Sequence, residues 1–253
     1  MHKYIYFLAT VFSISSIVFA QSEGYIQINS NDIIHYIVTD PYGNRTGRDP
    51  RNTENPQYGR KIDEISNAGY AFMSVGDIPE AGEEPHEDIS HEFIYTPVSP
   101  DNNGEHKIDV IGIRDGTYEI YISIDAPNHN GVNYKYKGPI TKNMIQNFEF
   151  YYSDVQSDDL YCKKIVVDST LIIDIELCYQ FDHIKDKGIY NSLKKKGENA
   201  IKQHEKGKNN AAVNILNAFI NEVNAQKGKK IDEWEAENVL IYDAQELIDK
   251  WKE

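Results

Sequence analysis

Cysteine is nearly absent: Cys162 and Cys178 are the only two in 253 residues. Two thiols cannot complete a four-ligand structural zinc site, and their spacing is not the C-x-x-C of a thiol oxidoreductase. In an exported chain an isolated pair is expected to form a disulfide, closing a loop that contributes about 3 kcal/mol in the chain-entropy model. Long apolar runs are equally scarce. Past residue 20 none approaches the ~20 residues that a spanning helix needs, so no membrane span is expected. Positive charge is in deficit, with 26 Lys+Arg against 40 Asp+Glu and a formal net charge of −14. The deficit sits in residues 21–168, which hold 12 basic and 25 acidic residues, while residues 169–253 hold 13 and 15. Such a surface repels phosphate backbones, so no nucleic-acid partner is expected. No Walker or G-x-G-x-x-G loop and no G-x-S-x-G elbow occurs, so no cofactor is expected and the commonest hydrolase frame is missing.

The chain opens on an export pattern. Met1-His2-Lys3 is a short positive start, Tyr4 to Val18 is almost wholly uncharged, and Val18-Phe19-Ala20 places small residues before Gln21. This predicts a signal peptide over 1–20, cleavage before Gln21 and a secreted or extracytoplasmic protein, at the cell surface or in the periplasm.

Residues 21–168 favour a period of two. Ile33 to Val38 reads as a strand stopped by the turn Asp40-Pro41-Tyr42-Gly43. Glu92 to Thr96, Val132 to Lys137 and Asn147 to Tyr152 follow the same pattern, with Gly138-Pro139 expected to separate the last two. Lys107 to Ile113 and Thr117 to Ile124 read as a hairpin reversed at Asp115-Gly116. An acidic antiparallel β-sandwich of about seven strands, Ig-like in class, is expected here. Past residue 168 the period lengthens to three and four. Leu171, Ile175 and Cys178 begin it, with Asp168 or Ser169 as cap. A helix from about Gly188 ends at Gly207, and one carrying Leu216, Phe219 and Val223 ends at Gly228. A fourth is capped by Asp232, with Glu235 reaching back, and buries Ala236, Val239, Leu240, Ala244, Leu247 and Ile248. Residues 169–253 therefore form an antiparallel helical bundle. The expected fold is α+β in two domains that can fold separately.

Four stretches of this second half carry a resemblance: Gly188 to Leu193, Asn217 to Gln226, Gly228 to Ile231 and Tyr242 to Gln245. Residues from about 170 to 250 resemble FIMAH, a small all-helical domain at the C-termini of exported bacterial multidomain proteins. One departure is Gly197, where a packing Leu is expected. Val38 to Pro50 is similar to the opening of β-sandwich modules in exported proteins of this kind. The resemblance implies an accessory role at or outside the cell surface and brings no catalytic residues.

Chemistry-bearing residues have plain structural explanations. Glu83, Glu84, His86, Asp88 and His91 are the densest set of metal-ligand types, but His86 and His91 are one residue too far apart for H-E-x-x-H on a helix. A solvated acidic loop is the expectation. Asp40, Asn44 and Asp49 offer oxygens for Ca²⁺ without EF-hand spacing, and turn geometry explains them. Arg45 is expected to pair with a carboxylate. No metal site and no catalytic residue is assigned. Tyr42, Tyr58, Tyr70, Tyr121, Tyr134 and Tyr136 could form a sugar-stacking face or fill a half-buried sheet surface. The sequence therefore reads as a non-catalytic exported accessory protein. Its sandwich would touch a cell-surface protein or glycan, and its bundle would serve association. The alternatives are a glycan- or small-ligand-binding protein using the Tyr-rich face, and a hydrolase with an unrecognised carboxylate pair.

Overall fold

The computed structural model describes residues 24–52, 59–66, 68–76, 87–95, 103–127 and 129–252; for 70–76 and 87–95 it describes the backbone path alone. The leader and its cleavage site, Tyr58, Glu83, Glu84 and His86, and the side chains of Tyr70, Asp88 and His91, lie outside the described residues.

Eleven strands are present among the described residues: β1 (Tyr25–Ser30), β2 (Ile34–Thr39), β3 (Arg45–Asp49), β4 (Arg60–Asp63), β5 (Ala68–Gly76), β6 (Glu87–Tyr95), β7 (Gly104–Gly112), β8 (Gly116–Asp125), β9 (Val132–Ile140), β10 (Ile145–Tyr152) and β11 (Tyr161–Lys164). They form two sheets, ordered β5-β6-β1-β8-β9 and β11-β10-β7-β2-β3-β4, with every pairing antiparallel. Alternation puts Ile26 and Ile28 of β1, Ile120 and Ile122 of β8, Val110 of β7 and Phe148 of β10 into one apolar cluster between the sheets. Buried apolar surface of this kind supplies most of the favourable free energy of the layer pair.

The strand count exceeds about seven because short strands such as β3, RTGRD, and β4, RKID, carry no apolar alternation for a sequence to reveal. Two further expectations change. The segments before and after Asp115-Gly116 do not pair as a hairpin. β7 lies between β2 and β10, and β8 lies between β1 and β9 in the other sheet. The reversal is an arch that carries the chain across the core, pinned by Arg114 on Asp32 and by the Lys142 amide donating to Asp115. Gly138-Pro139 does not end a strand either. β9 runs through it to Ile140 as an edge strand, where a proline's missing donor breaks no ladder.

The helical half comprises α1 (Asp168–Gln180), α2 (Lys187–His204), α3 (Asn209–Gln226), a short α4 (Glu233–Glu235), a π-helical stretch Ala236–Ile241 and α5 (Tyr242–Lys252). Gly207 and Gly228 adopt φ of 68° and 69° at the ends of α2 and α3, as left-handed C-terminal residues do. Phe219 is fully buried in a second apolar cluster with Leu171, Leu193, Leu216, Leu240 and Leu247. Gly197 has a reason. A Cβ there would lie 2.9 Å from Cδ1 of Ile172, so α1 occupies the space a larger side chain would need. The caps differ from expectation. Val167, not Asp168 or Ser169, precedes α1, and its amide donates to Thr170 Oγ1. Asp232 precedes α4 without capping it through its side chain, because Lys185 and His183 engage that carboxylate.

The expected Cys162–Cys178 disulfide is absent: both thiols are free and buried. Cys162 belongs to the cluster between the sheets and Cys178 to the helical cluster, so their side chains point into different cores. Burial pushes the Cys162 thiol up to about 12 and Cys178 well above its ordinary value, which keeps both protonated and inert. Protein denatured without reductant should therefore expose two thiols to a maleimide. Labelling of neither would restore the disulfide.

Candidate functional site

The two sheets share a flank. β9 is the last strand of one sheet and β11 the first of the other, and two tyrosine hydroxyls tie them together. Tyr136 of β9 donates to the Cys162 carbonyl at 2.6 Å, and Tyr134 to the Leu160 carbonyl at 3.5 Å. Open strand edges invite pairing with other chains, and this flank is covered by the helical half. Trp234 Nε1 donates to the Lys137 carbonyl of β9 at 3.2 Å, and the Tyr242 hydroxyl to the Lys164 carbonyl of β11 at 3.4 Å.

Charge is enclosed at the centre of this junction. Along β11, Cys162 and Lys164 point inward while Lys163 points out. The Lys164 ammonium donates to Asp174 of α1 at 2.5 Å and to Asp243 of α5 at 2.8 Å; the three side chains are 6%, 0% and 0% exposed. Asp174 sits on the apolar stripe of α1 between Leu171 and Cys178, and Asp243 beside Ala244 on the buried side of α5. The network extends into the β half: Gln146 lies 3.5 Å from Asp174, and the Tyr118 hydroxyl donates to Gln146 at 2.5 Å. Burial alone would lower the lysine pKa, but the two carboxylates outweigh it and hold Lys164 well above the ordinary value. Burial, reinforced by the charge of Asp174, drives Asp243 well above the carboxylate range against the pull of Lys164. That direction favours the protonated form of Asp243 and so lowers the charge enclosed at the junction. So sealed a group cannot meet a substrate; it can fix how two units sit together.

Around the rim, His183 Nδ1 lies 3.2 Å from Asp232 and 3.7 Å from Glu235, and its Nε2 lies 3.5 Å from Thr117 Oγ1 of β8. On the open side, Lys135 Nζ sits 4.9 Å from the Tyr121 ring centre and 5.4 Å from that of Trp234, with Glu119 3.4 Å away.

The sequence candidates fall elsewhere. Asp40 accepts hydrogen bonds from the amides of Tyr42 and Asn44 and from the Asn44 side chain, and Asp49 pairs with Arg51 through both its oxygens. Both carboxylates are thus engaged by protein donors, and Asp40 and Asp49 belong to separate contacts. Arg45 pairs with Glu64 at 3.4 Å. His91 lies on β6, so the histidine cluster runs into a strand where helical spacing does not apply. The described tyrosines do not share a face. Tyr134 and Tyr136 turn toward the core, Tyr42 occupies a turn tip, and Tyr121 stands on β8. The junction residues Lys164, Asp174, Asp243, His183, Asp232 and Glu235 were not anticipated as sites. The signal available was Asp174 and Asp243 interrupting apolar stripes, a place where charge is rare unless paired.

Removing one partner of a buried pair leaves an uncompensated charge. Lys164→Met should cost about 3–5 kcal/mol in denaturant unfolding. Asp243→Asn, an isostere of the protonated acid, should stay close to the unaltered protein below pH 3.8, where the carboxyl is protonated folded and unfolded alike. The sign with pH follows. A carboxyl raised from 3.8 in the folded state contributes stability below that value and loses it as pH rises through the folded pKa. Asp243→Asn should therefore gain on the unaltered chain with rising pH, and a flat difference would contradict the protonated assignment.

No curated protein and no solved structure matches this chain. The α+β architecture ends in a helical region that a family model does match: residues 182–249, from the residue before His183 to the last turn of α5, match the FIMAH domain.

Proposed function

We propose that this is an exported, non-catalytic accessory protein. Its sheets act as an Ig-like β-sandwich for contact with a cell-surface protein or glycan, and its helical bundle serves association. The FIMAH match over residues 182–249 supports an accessory role of the cell-surface kind. The enclosure of the principal charged cluster supports a structural use for it over a catalytic one. Among the described residues no helix is long and apolar enough to cross a membrane.

One observation carries the contact surface. The Asp40 carboxylate braces its own turn through three hydrogen bonds, Gly43 closes it at φ 87°, and Tyr42 stands at the tip, 66% exposed. An exposed aromatic on a pre-ordered turn loses little conformational entropy on binding, which suits it to anchor an interface. A glycan reading has its own support in Tyr121, which is 43% exposed beside Lys135, whose ammonium also lies over the Trp234 ring. Mature protein applied to cell-surface extracts and a glycan panel separates them. Tyr42→Ala should weaken protein-surface binding about ten-fold or more with an unchanged melting point. Loss confined to Tyr121→Ala, on glycans, would select the second reading, and binding indifferent to both would refute the two surfaces.

A further inference from the structure

We propose that His183, Asp232 and Glu235 form a divalent transition-metal site at the rim of the junction. The three donors come from segments the fold already holds in register. The Asp232 amide donates to the His183 carbonyl at 2.9 Å, the Lys185 amide to the Lys230 carbonyl at 2.8 Å, and Ile184 bridges Ile231. Asp232 and Glu235 are three residues apart at the start of α4, which turns both toward the imidazole. His183 Nδ1 stands 3.2 Å from Asp232 Oδ2 and 3.7 Å from Glu235 Oε1, and all three donor atoms lie within 4.8 Å of one another. A tetrahedral ion with bonds of about 2.0–2.2 Å separates its ligands by about 3.3–3.6 Å. The two separations from the imidazole, 3.2 and 3.7 Å, fit that spacing, and water would complete the shell.

A second observation points to a cation. Glu235 is 3% exposed, its carboxylate receives no hydrogen bond from any described residue, and the His183 Nδ1 lies 3.7 Å from its Oε1. A buried carboxylate without donors is costly unless a positive charge answers it. Lys185 answers the other oxygen of Asp232, at 2.5 Å, and so leaves Oδ2 to the site. Thr117 Oγ1 beside Nε2 is placed to accept that ring N–H, which turns the Nδ1 lone pair toward the carboxylates, as outer partners of metal-bound histidines do. One nitrogen and two carboxylate oxygens form a donor set for Zn²⁺ and its first-row neighbours; Ca²⁺ takes oxygen alone. Because Thr117 belongs to β8, the ion would tie the β half to the α1–α2 loop and the start of α4.

The test uses the full mature chain, stripped with chelator and titrated with Zn²⁺ and separately with Co²⁺. One equivalent should bind, the melting point should rise with free Zn²⁺, and Co²⁺ should give the visible bands of a low-coordinate site. His183→Ala and Glu235→Gln should each weaken binding about ten-fold or more, whereas Lys229→Ala, which touches only the Ala225 carbonyl, should not. If circular dichroism shows His183→Ala misfolded, the isosteric Glu235→Gln decides alone. No stoichiometric binding, or binding that survives in the folded ligand variants, would overturn the site and leave His183–Asp232 a simple hydrogen bond.

Discussion

A lysine ammonium cut off from water sets the terms on which the two halves meet. Lys164 comes from the last strand, and its partners Asp174 and Asp243 come from two different helices. An unpaired ion kept in such a place would cost several kcal/mol, and each half lacks the partners for its own buried charge. A correct fit is required for all three to be answered together, and a slip of one strand position would turn Lys164 outward and Lys163 in. The pair of apolar clusters supplies the bulk of the burial, one between the sheets and one among the helices. The ion cluster supplies the registration between them.

This arrangement gives α1 a particular role. The FIMAH match begins at residue 182, after α1 has ended at Gln180. Yet α1 brings Asp174 to the cluster and lays Ile172 over Gly197 of α2. It acts as an adapter between a helical unit of a recurring kind and this β unit, with Trp234 and Tyr242 capping strand carbonyls on either side. The proposed contact surface lies on the turn from Asp40 to Asn44 that joins β2 to β3.

Much of this was legible in advance where the cause is local. Alternating Ile108, Val110, Ile120 and Ile122 marked strands, and Gly207 and Gly228 marked helix ends, because period and backbone freedom act within a few residues. Sheet partners were not legible. Asp115-Gly116 suits a hairpin and an arch equally, and the choice depends on where β1, β2, β9 and β10 lie. The cysteines illustrate the same limit, since 16 positions of separation say nothing about two cores that face apart. The junction was hidden for a related reason. His183 and Asp232 lie 49 positions apart, and Lys164 and Asp243 79, so only the folded chain joins them.

Native-state hydrogen exchange in low denaturant tests the coupling most directly, by comparing amides of α5 around Leu247 with those of β10 around Phe148. Units joined through Lys164 should open together, with the same free energy and the same denaturant dependence on both sides. If α5 opens at markedly lower free energy while β10 stays protected, the enclosed ion cluster does not bind the halves into one cooperative structure.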